Sequence, residues 1–307
     1  MKNNIYIENL EVDFTLKNTR IKVLRGLDLN IEEGAITGIL GESGSGKSVL
    51  ANSILNLLPP YTKISGKILY KNKNLLTSHK EIPGFYGKEF GLIPQYPGES
   101  LNPSMTIFKQ FTSSNRKLSS KEVRDLTQTL LTYMGFDKPH KILTSYPYEL
   151  SGGMQQRVLC ALTLSSSPKW ILADEPTKGL DDEVKNIVID NLKKVKNYNQ
   201  ASMILITHDL EVAQELCDKI VILYGGNVME YGQNILENPK HPYTQDFIHS
   251  LPIHGFQTMK GMAPGPQESI IGCPYRPRCS SAMEICKQKI PPIFHKNARK
   301  IRCFLYD

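Results

Sequence analysis

The sequence predicts an α/β fold in which a largely parallel sheet is combined with an antiparallel β segment. One observation is a buried strand, a glycine-rich loop and a helix in direct succession at residues 35–58. A second is the alternation of short apolar strands with helically spaced apolar residues between 150 and 224, which is typical of a parallel sheet with crossover helices. A third is the alternating apolar and polar pattern of residues 5–33, which predicts an antiparallel hairpin or meander.

Length and composition indicate a globular chain. With 307 residues the chain can bury one large core or two modest ones, and we expect one main α/β domain with additions. No apolar run approaches the ~20 residues that a membrane-spanning helix needs. The first residues lack the apolar region of a secretory signal, so we expect a protein of the cytosol whose six cysteines are reduced unless a metal holds them.

The glycine-rich loop at residues 41–48 fits the pattern G-x-x-x-x-G-K-[ST] at every fixed position. The glycines let backbone N–H groups converge on one point, and the N-terminus of the following helix favours anionic oxygens. We expect Lys47 to reach the β- and γ-phosphates of a nucleoside triphosphate and Ser48 to place its hydroxyl on magnesium. Phe14, earlier in the β segment, could present its ring to an adenine or pack inward, and the sequence leaves both open.

Further along, polar residues follow predicted strands or open predicted helices. Gln95 ends a short apolar strand, and residues 97–150 have the composition and spacing of a helical subdomain inserted between strands. A second glycine turn, at residues 151–153, opens a helix and is a second candidate anion site. Asp174 with Glu175, and then His208, end strands at the edge where ligands of an α/β sheet bind.

In their order along the chain, the first glycine loop, Gln95, the second glycine loop, the acidic pair and His208 resemble the ATP-binding cassette (ABC) family over roughly residues 5–235. The resemblance implies a P-loop NTPase core of the ABC type with an antiparallel β subdomain and a helical insertion, and with ATP and Mg²⁺ as cofactors. Residues 150–155 correspond to the signature sequence of the family and residues 179–181 to its D-loop. In the stretch 177–181 around the D-loop, Lys178 and Gly179 stand in place of the usual small residues. Because the signature closes over the nucleotide of a second subunit, the implied working unit is a dimer.

The resemblance also implies a role for each residue. Glu175 would polarise the attacking water, while His208, Lys47 and Gln95 complete the catalytic set. Magnesium would be held by Ser48, Gln95 and Asp174. The implied nucleotide-contacting residues are Phe14, Gly41, Ser43, Gly44, Ser45, Gly46, Lys47, Ser48, Val49, Gln95, Ser151, Gly152, Gly153, Asp181 and His208.

The last part of the chain, residues 237–307, differs in composition and is predicted to be an irregular C-terminal module. Its ten Lys/Arg against five Asp/Glu carry +5 of the formal charge of +7. We expect no nucleic-acid partner, because no basic run is interleaved with aromatic residues. The residues alone leave three interpretations of its cysteines open: chance thiols, a structural zinc or an iron–sulfur cluster. These cysteines are Cys273, Cys279, Cys286 and Cys303.

Residues 241–244 and 272–279 resemble the C-terminal module of the ATPases of peptide and nickel importers. In that group the four cysteines can hold a [4Fe–4S] cluster, so the resemblance implies a structural cluster in a module at 237–307 that follows a nucleotide-binding domain at 1–236.

It further implies an ATPase subunit that powers the import of oligopeptides or dipeptides, with nickel or a metal–chelator complex as the main alternative. The implied partners are a homologous second ATPase, two transmembrane permease subunits and an extracytoplasmic substrate-binding protein, with the chain on the cytoplasmic face of the membrane.

Two rival functions fit the sequence less well. ABC ATPases that act on nucleic acid or ribosomes usually carry tandem cassettes or a long coiled-coil insertion, and neither is visible. An iron–sulfur redox protein with a vestigial nucleotide fold would not need Lys47, Glu175 and His208 intact.

Overall fold

The computed structural model describes residues 3–16, 19–250, 259, 261–265, 268, 270–296 and 298–307. The chain divides into two compact units, one formed by Met1–His79 with Ile206–Asp307 and the other by Lys80–Leu205. Within the described residues, no helix is both long and apolar enough to span a bilayer.

The strands and helices follow each other in an α/β order. The strands are β1 (Ile5–Leu16), β2 (Thr19–Ile31), β3 (Ile36–Leu40), β4 (Thr62–Tyr70), β5 (Lys73–Asn74), β6 (Phe90–Ile93), β7 (Trp170–Asp174), β8 (Ser202–Ile206), β9 (Lys219–Tyr224), β10 (Asn227–Gly232), β11 (Phe294–Lys296) and β12 (Arg299–Ile301). The helices are α1 (Lys47–Ile54), α2 (Leu75–Ser78), α3 (Pro97–Ser100), α4 (Ile107–Ser114), α5 (Ser120–Tyr133), α6 (Pro139–Thr144), α7 (Gly152–Ser165), α8 (Asp182–Asn199), α9 (Leu210–Leu216), α10 (Pro242–His249) and α11 (Ile285–Gln288).

The first unit contains an antiparallel sheet in the order β2-β1-β4-β5. This confirms the hairpin predicted from the alternating pattern of residues 5–33. On β1, alternate side chains are buried at Ile5 and Ile7 and, beyond a shift in register, at Leu10 and Val12, because the strand turns one face to the core.

The same unit also contains strands in the order β11-β12-β10-β9-β3. β3 runs parallel to β9, and all five of its residues are buried, as expected of a strand covered on both faces. β12 pairs antiparallel with β10, so the end of the chain adds to this sheet. The carboxyl end of β3 carries the glycine-rich loop.

In the second unit, strands β8, β7 and β6 lie side by side, and β6 runs parallel to β7. Helices α3 to α6 fall within the stretch predicted to be helical, and α7 packs against α3, α4, α5 and α8. A capping box starts α5: Ser119 Oγ accepts the N–H of Glu122, and the Glu122 carboxylate accepts the N–H of Ser119.

The C-terminal segments of the first unit pack around a cluster of buried aromatic rings. Tyr224 of β9, Tyr243 of α10 and Tyr275 lie with ring centroids 4.4–5.3 Å apart. Glu230 of β10 is fully buried, and its carboxylate accepts the backbone N–H groups of Lys240 and His241. These bonds fix the start of α10 against the sheet.

Candidate nucleotide-binding site

The glycine-rich loop connects β3 to α1. Gly41, Gly44 and Gly46 have φ angles of +153°, +79° and +104°, which other residues rarely adopt. A Cβ at Gly41 would lie only 2.2 Å from the carbonyl oxygen of Leu223, so this position has no room for a side chain. The glycines therefore shape the loop and bring it close to β9.

The loop is rich in donors for an anion. Lys47 is buried, and its Nζ donates to the carbonyl oxygens of Gly41 at 2.9 Å and Glu42 at 3.0 Å. The N-terminus of α1 has no side-chain cap and no acidic residue in its first turn. Ser45 Oγ is buried without a hydrogen-bond partner among the described residues. An ammonium, an uncapped helix terminus and an unsatisfied hydroxyl fit the phosphates of a nucleotide with its magnesium ion.

Groups from the C-terminal half of the first unit hydrogen-bond to the loop. The N–H of Glu42 donates to Tyr243 Oη at 3.2 Å, and the N–H of Gly226 donates to the carbonyl oxygen of Ser45 at 3.2 Å. Arg278 Nη1 donates to both carboxylate oxygens of Glu42, at 2.9 and 3.2 Å. Sequence reasoning missed these supports, because no spacing or motif connects Arg278 or Tyr243 with the loop.

Two further predicted residues lie in the first unit. Phe14 is on β1 and partly buried, with its ring centroid 6.4 Å from that of Tyr61. His208 follows β8 with an exposed side chain, in a turn where Thr207 Oγ1 accepts the N–H of Asp209. Asp209 in turn caps α9, so the backbone around His208 is fixed by local hydrogen bonds.

In the second unit, Gln95 lies in the connection between β6 and α3. Its Nε2 is buried and has no hydrogen-bond partner in the described part of the chain, which fits a side chain that serves a ligand. Three residues later, a Cβ on Gly98 would lie 2.7 Å from Gln155 Oε1. The segment after Gln95 is thus in close contact with the helix of the second glycine turn.

The second glycine turn starts α7. Ser151 is its N-cap and accepts the N–H of Met154 at 3.4 Å. A Cβ on Gly152 or on Gly153 would meet no described atom within 4 Å, so packing within this chain does not require glycine at either position. Ser151 and Gly152 are exposed. An exposed turn with two glycines suits the close approach of a ligand or a second chain.

The acidic pair lies at the end of β7. Asp174 is the last residue of the strand, and Glu175 follows with φ +45°, a strained conformation for a residue with a side chain. Lys178 Nζ lies 3.5 Å from Glu175 Oε2, so the lysine that departs from the usual D-loop pattern is an ion-pair partner of the predicted base. Asp181 caps α8 by accepting the N–H of Val184 at 2.9 Å.

Comparison with known families decides what these loops belong to. Residues 24–178, half of the chain, match the family described as ABC transporter. The chain belongs to the ABC transporter family. It is an ATPase that uses ATP with Mg²⁺, and the family and the fold predicted from the order of the motifs are both confirmed.

The similarity of this ABC ATPase to its relatives extends over nearly its whole length. Residues 229–286 match the C-terminal region of oligopeptide/dipeptide transporters. The dipeptide transport ATP-binding protein DppD of Caldanaerobacter subterraneus is 37% identical, with 99% of this chain and 97% of the relative aligned. The oligopeptide transport ATP-binding protein AppD of Bacillus subtilis is 35% identical, with 100% and 98% aligned.

Solved structures of similar fold are also ATP-binding cassettes. A dimeric post-hydrolysis state of the ATP-binding cassette MJ0796, bound to ADP and phosphate, matches with a TM-score of 0.64 and 27% identity over 75% of this chain and 98% of that one. The cbiO1 protein of Clostridium perfringens, part of a transporter complex, matches with a TM-score of 0.65 and 26% identity over 82% and 96%.

The prediction of a [4Fe–4S] cluster is wrong. Over the ranges that the structure describes, no group of three or more His, Cys, Asp or Glu side chains is arranged to hold a metal ion. Burial is the main reason that the pKa of Cys273 is raised to about 11, and the nearby Cys286, Cys303 and Cys279 contribute to this rise. Cys273 and Cys286 belong to the apolar core around Tyr243, where they act as small hydrophobic residues.

Proposed function

We propose that the chain is the ATP-hydrolysing subunit of an importer that takes up oligopeptides or dipeptides. The observation that carries this proposal is similarity along the entire chain to dipeptide and oligopeptide transport ATP-binding proteins. It includes residues 229–286, which match the family described as the C-terminal region of oligopeptide/dipeptide transporters. The nucleotide-binding domain would comprise residues 1–236 and the transporter-type module residues 237–307.

The residues of the first unit would bind the nucleotide. Lys47 now donates to loop carbonyls, and these bonds would be exchanged for bonds to the β- and γ-phosphates. The N–H groups of residues 43–49 and the hydroxyls of Ser45 and Ser48 would surround the phosphates. Phe14 would stack on the adenine, and His208 would hydrogen-bond the γ-phosphate.

A further set of residues would hold magnesium and act on the phosphoryl group. Magnesium neutralises charge on the β- and γ-oxygens when it is bound, and Ser48, Gln95 and Asp174 would be its ligands, directly or through water. Glu175 would accept a proton from the attacking water. Its strained backbone at φ +45° supports a functional role, because folding alone does not favour that conformation.

Assembly would follow from the exposed signature turn. Ser151, Gly152 and Gly153 would close over ATP bound to a second, homologous ATPase. The two subunits would in this way form a pair of composite sites. Asp181, which caps α8, would lie at that junction. The pair would dock on two permease subunits at the cytoplasmic face of the membrane, and an extracytoplasmic binding protein would deliver the peptide.

The role of Glu175 is tested by Glu175→Gln, which keeps the size of the side chain and removes its basicity. We expect the variant to bind ATP like wild type while steady-state hydrolysis falls by ~10²-fold or more, because the water loses its base. Glu183→Gln, an exposed substitution in the first turn of α8, is the matched control. Normal turnover by Glu175→Gln would exclude the assigned role.

A further inference from the structure

The C-terminal module touches the phosphate loop itself, and the main contact is an arginine. Arg278 lies in a tight turn in which its N–H donates to the carbonyl oxygen of Tyr275 at 3.0 Å. Its side chain is only 4% exposed. The guanidinium lies beside the rings of Tyr224 and Tyr275, 5.7 and 5.8 Å from their centroids. It is therefore held in place before it meets the loop.

The partner of Arg278 is Glu42, the second residue of the loop. Nη1 donates to both oxygens of the Glu42 carboxylate and to Tyr224 Oη at 3.2 Å. Bonds of this charged kind are about twice as strong as neutral ones. Since the arginine is buried and the carboxylate is only 23% exposed, water replaces little of the contact if either partner is removed.

Glu42 connects this ion pair to the phosphate-binding lysine. Its carbonyl oxygen accepts from Lys47 Nζ at 3.0 Å, and its N–H donates to Tyr243 Oη at 3.2 Å. One residue thus bonds Lys47 through its carbonyl oxygen and two groups of the C-terminal module through its N–H and its carboxylate. The position of the module therefore bears directly on the backbone that presents Lys47.

A second contact reaches the loop by another route. The N–H of Gly226 donates to the carbonyl oxygen of Ser45. A Cβ on the preceding Gly225 would lie 3.3–3.6 Å from side chains of Pro274, Pro264 and Ile270. The module thus packs against the turn between β9 and β10 that seats the loop.

The charges of the ion pair should affect ATP binding in a way that packing alone would not. The loop must accept a triphosphate, and a carboxylate within it repels an anion. Among the described residues, Arg278 is the cation in an ion pair with this carboxylate, so its removal leaves a negative charge beside the phosphates without that partner. Removal of the carboxylate instead leaves a positive charge there, which attracts them.

We propose that Arg278 is a positioning residue for ATP that acts through the charge of Glu42: it neutralises this carboxylate beside the phosphate-binding loop, so that the C-terminal module sets the nucleotide affinity of the cassette. This rests on the nucleotide-binding function proposed above. The module is then a functional part of the ATP site as well as a C-terminal appendage.

The test compares ATP affinity, by isothermal titration calorimetry of the full chain, among wild type, Arg278→Gln, Glu42→Gln and the double variant. Arg278→Gln should bind ATP about tenfold more weakly, which corresponds to ~1.4 kcal/mol. Glu42→Gln should bind at least as tightly as wild type, and the double variant should recover most of the loss. The deficit of Arg278→Gln should shrink at high salt, because ions screen the repulsion.

A purely structural role predicts a different pattern, since either single variant breaks the same contact and both should then weaken binding equally. That result, or an Arg278→Gln variant that binds ATP as well as the control Arg276→Gln, would overturn the proposal. If Arg278→Gln does not fold, Arg278→Lys keeps the charge with fewer donors and should bind with intermediate affinity. Failure of wild type to bind ATP would overturn the nucleotide function itself, and with it this inference.

Discussion

Lowering the pH from 7.5 to 5 is expected to destabilise the protein through His241, the N-cap of α10. Its Nδ1 accepts the N–H of Tyr243 at 2.9 Å, and its Nε2 donates to the carbonyl oxygen of Arg302 at 3.1 Å. Both bonds require the neutral ring, because a proton on Nδ1 would remove the acceptor. Burial lowers the pKa of His241 to about 3, against 6.5 for an ordinary histidine.

The sign follows from linkage. Below pH 6.5 the unfolded chain binds a proton that the folded chain refuses until about pH 3, so the contribution is present above 6.5 and is lost as the pH falls. Each pH unit in this window costs about 1.4 kcal/mol, and pH 5 lies about 1.5 units below the unfolded pKa. The expected loss of unfolding free energy from His241 alone is therefore about 2 kcal/mol.

The assay is urea unfolding at pH 7.5 and pH 5, of wild type and His241→Asn. Asparagine is also a good N-cap but does not titrate in this range. Glu230, whose pKa burial raises, favours stability as the pH falls, and it is present in both proteins, so it cancels in the comparison. Wild type should lose about 2 kcal/mol more than the variant between the two pH values. Equal losses would refute the reasoning.

Two substitutions, each with a control, test local geometry in the phosphate-binding loop and at the N-cap of α5. Gly41→Ala should abolish ATP binding, because its Cβ would lie 2.2 Å from the carbonyl oxygen of Leu223. The control is Gly34→Ala, since Gly34 also has a positive φ but has open space around it. This variant should retain ATP binding in the same calorimetric titration. Ser119→Ala should lower the free energy of unfolding in urea by about 1 kcal/mol, because the capping box is lost. Ser120→Ala, at the first residue of α5, should lower it clearly less. Loss of binding by both glycine variants, or equal costs for both serine variants, would contradict these predictions.

What the sequence predicted well is local. Gly41, Gly46 and Lys47 belong to one short loop. Neighbouring residues in the sequence determine its backbone conformation and its hydrogen-bond donors. The hairpin of β1 and β2 is equally short-range. In such cases the residue pattern determines the geometry almost alone.

What the sequence could not predict depends on contacts distant along the chain. Arg278 bonds Glu42 because β9, β10 and α10 place the C-terminal module against the loop. No motif or spacing in the sequence predicts this contact. The resemblance to the C-terminal module of importer ATPases implied a cluster, but a resemblance does not reveal burial, and Cys273 and Cys286 belong to an apolar core. Lys178 looked like a minor departure from the family pattern until its ammonium was found 3.5 Å from Glu175.

The most direct test of the central claim is peptide uptake by cells of the organism that encodes the chain. The chromosomal gene would be replaced by one that encodes Lys47→Ala, or Lys67→Ala as an exposed control on β4, and uptake of radiolabelled dipeptides and oligopeptides would be compared with that of radioactive nickel. The account predicts that Lys47→Ala reduces peptide uptake to background and leaves nickel uptake intact, while Lys67→Ala changes neither. Undiminished peptide uptake, or loss of nickel uptake alone, would contradict it.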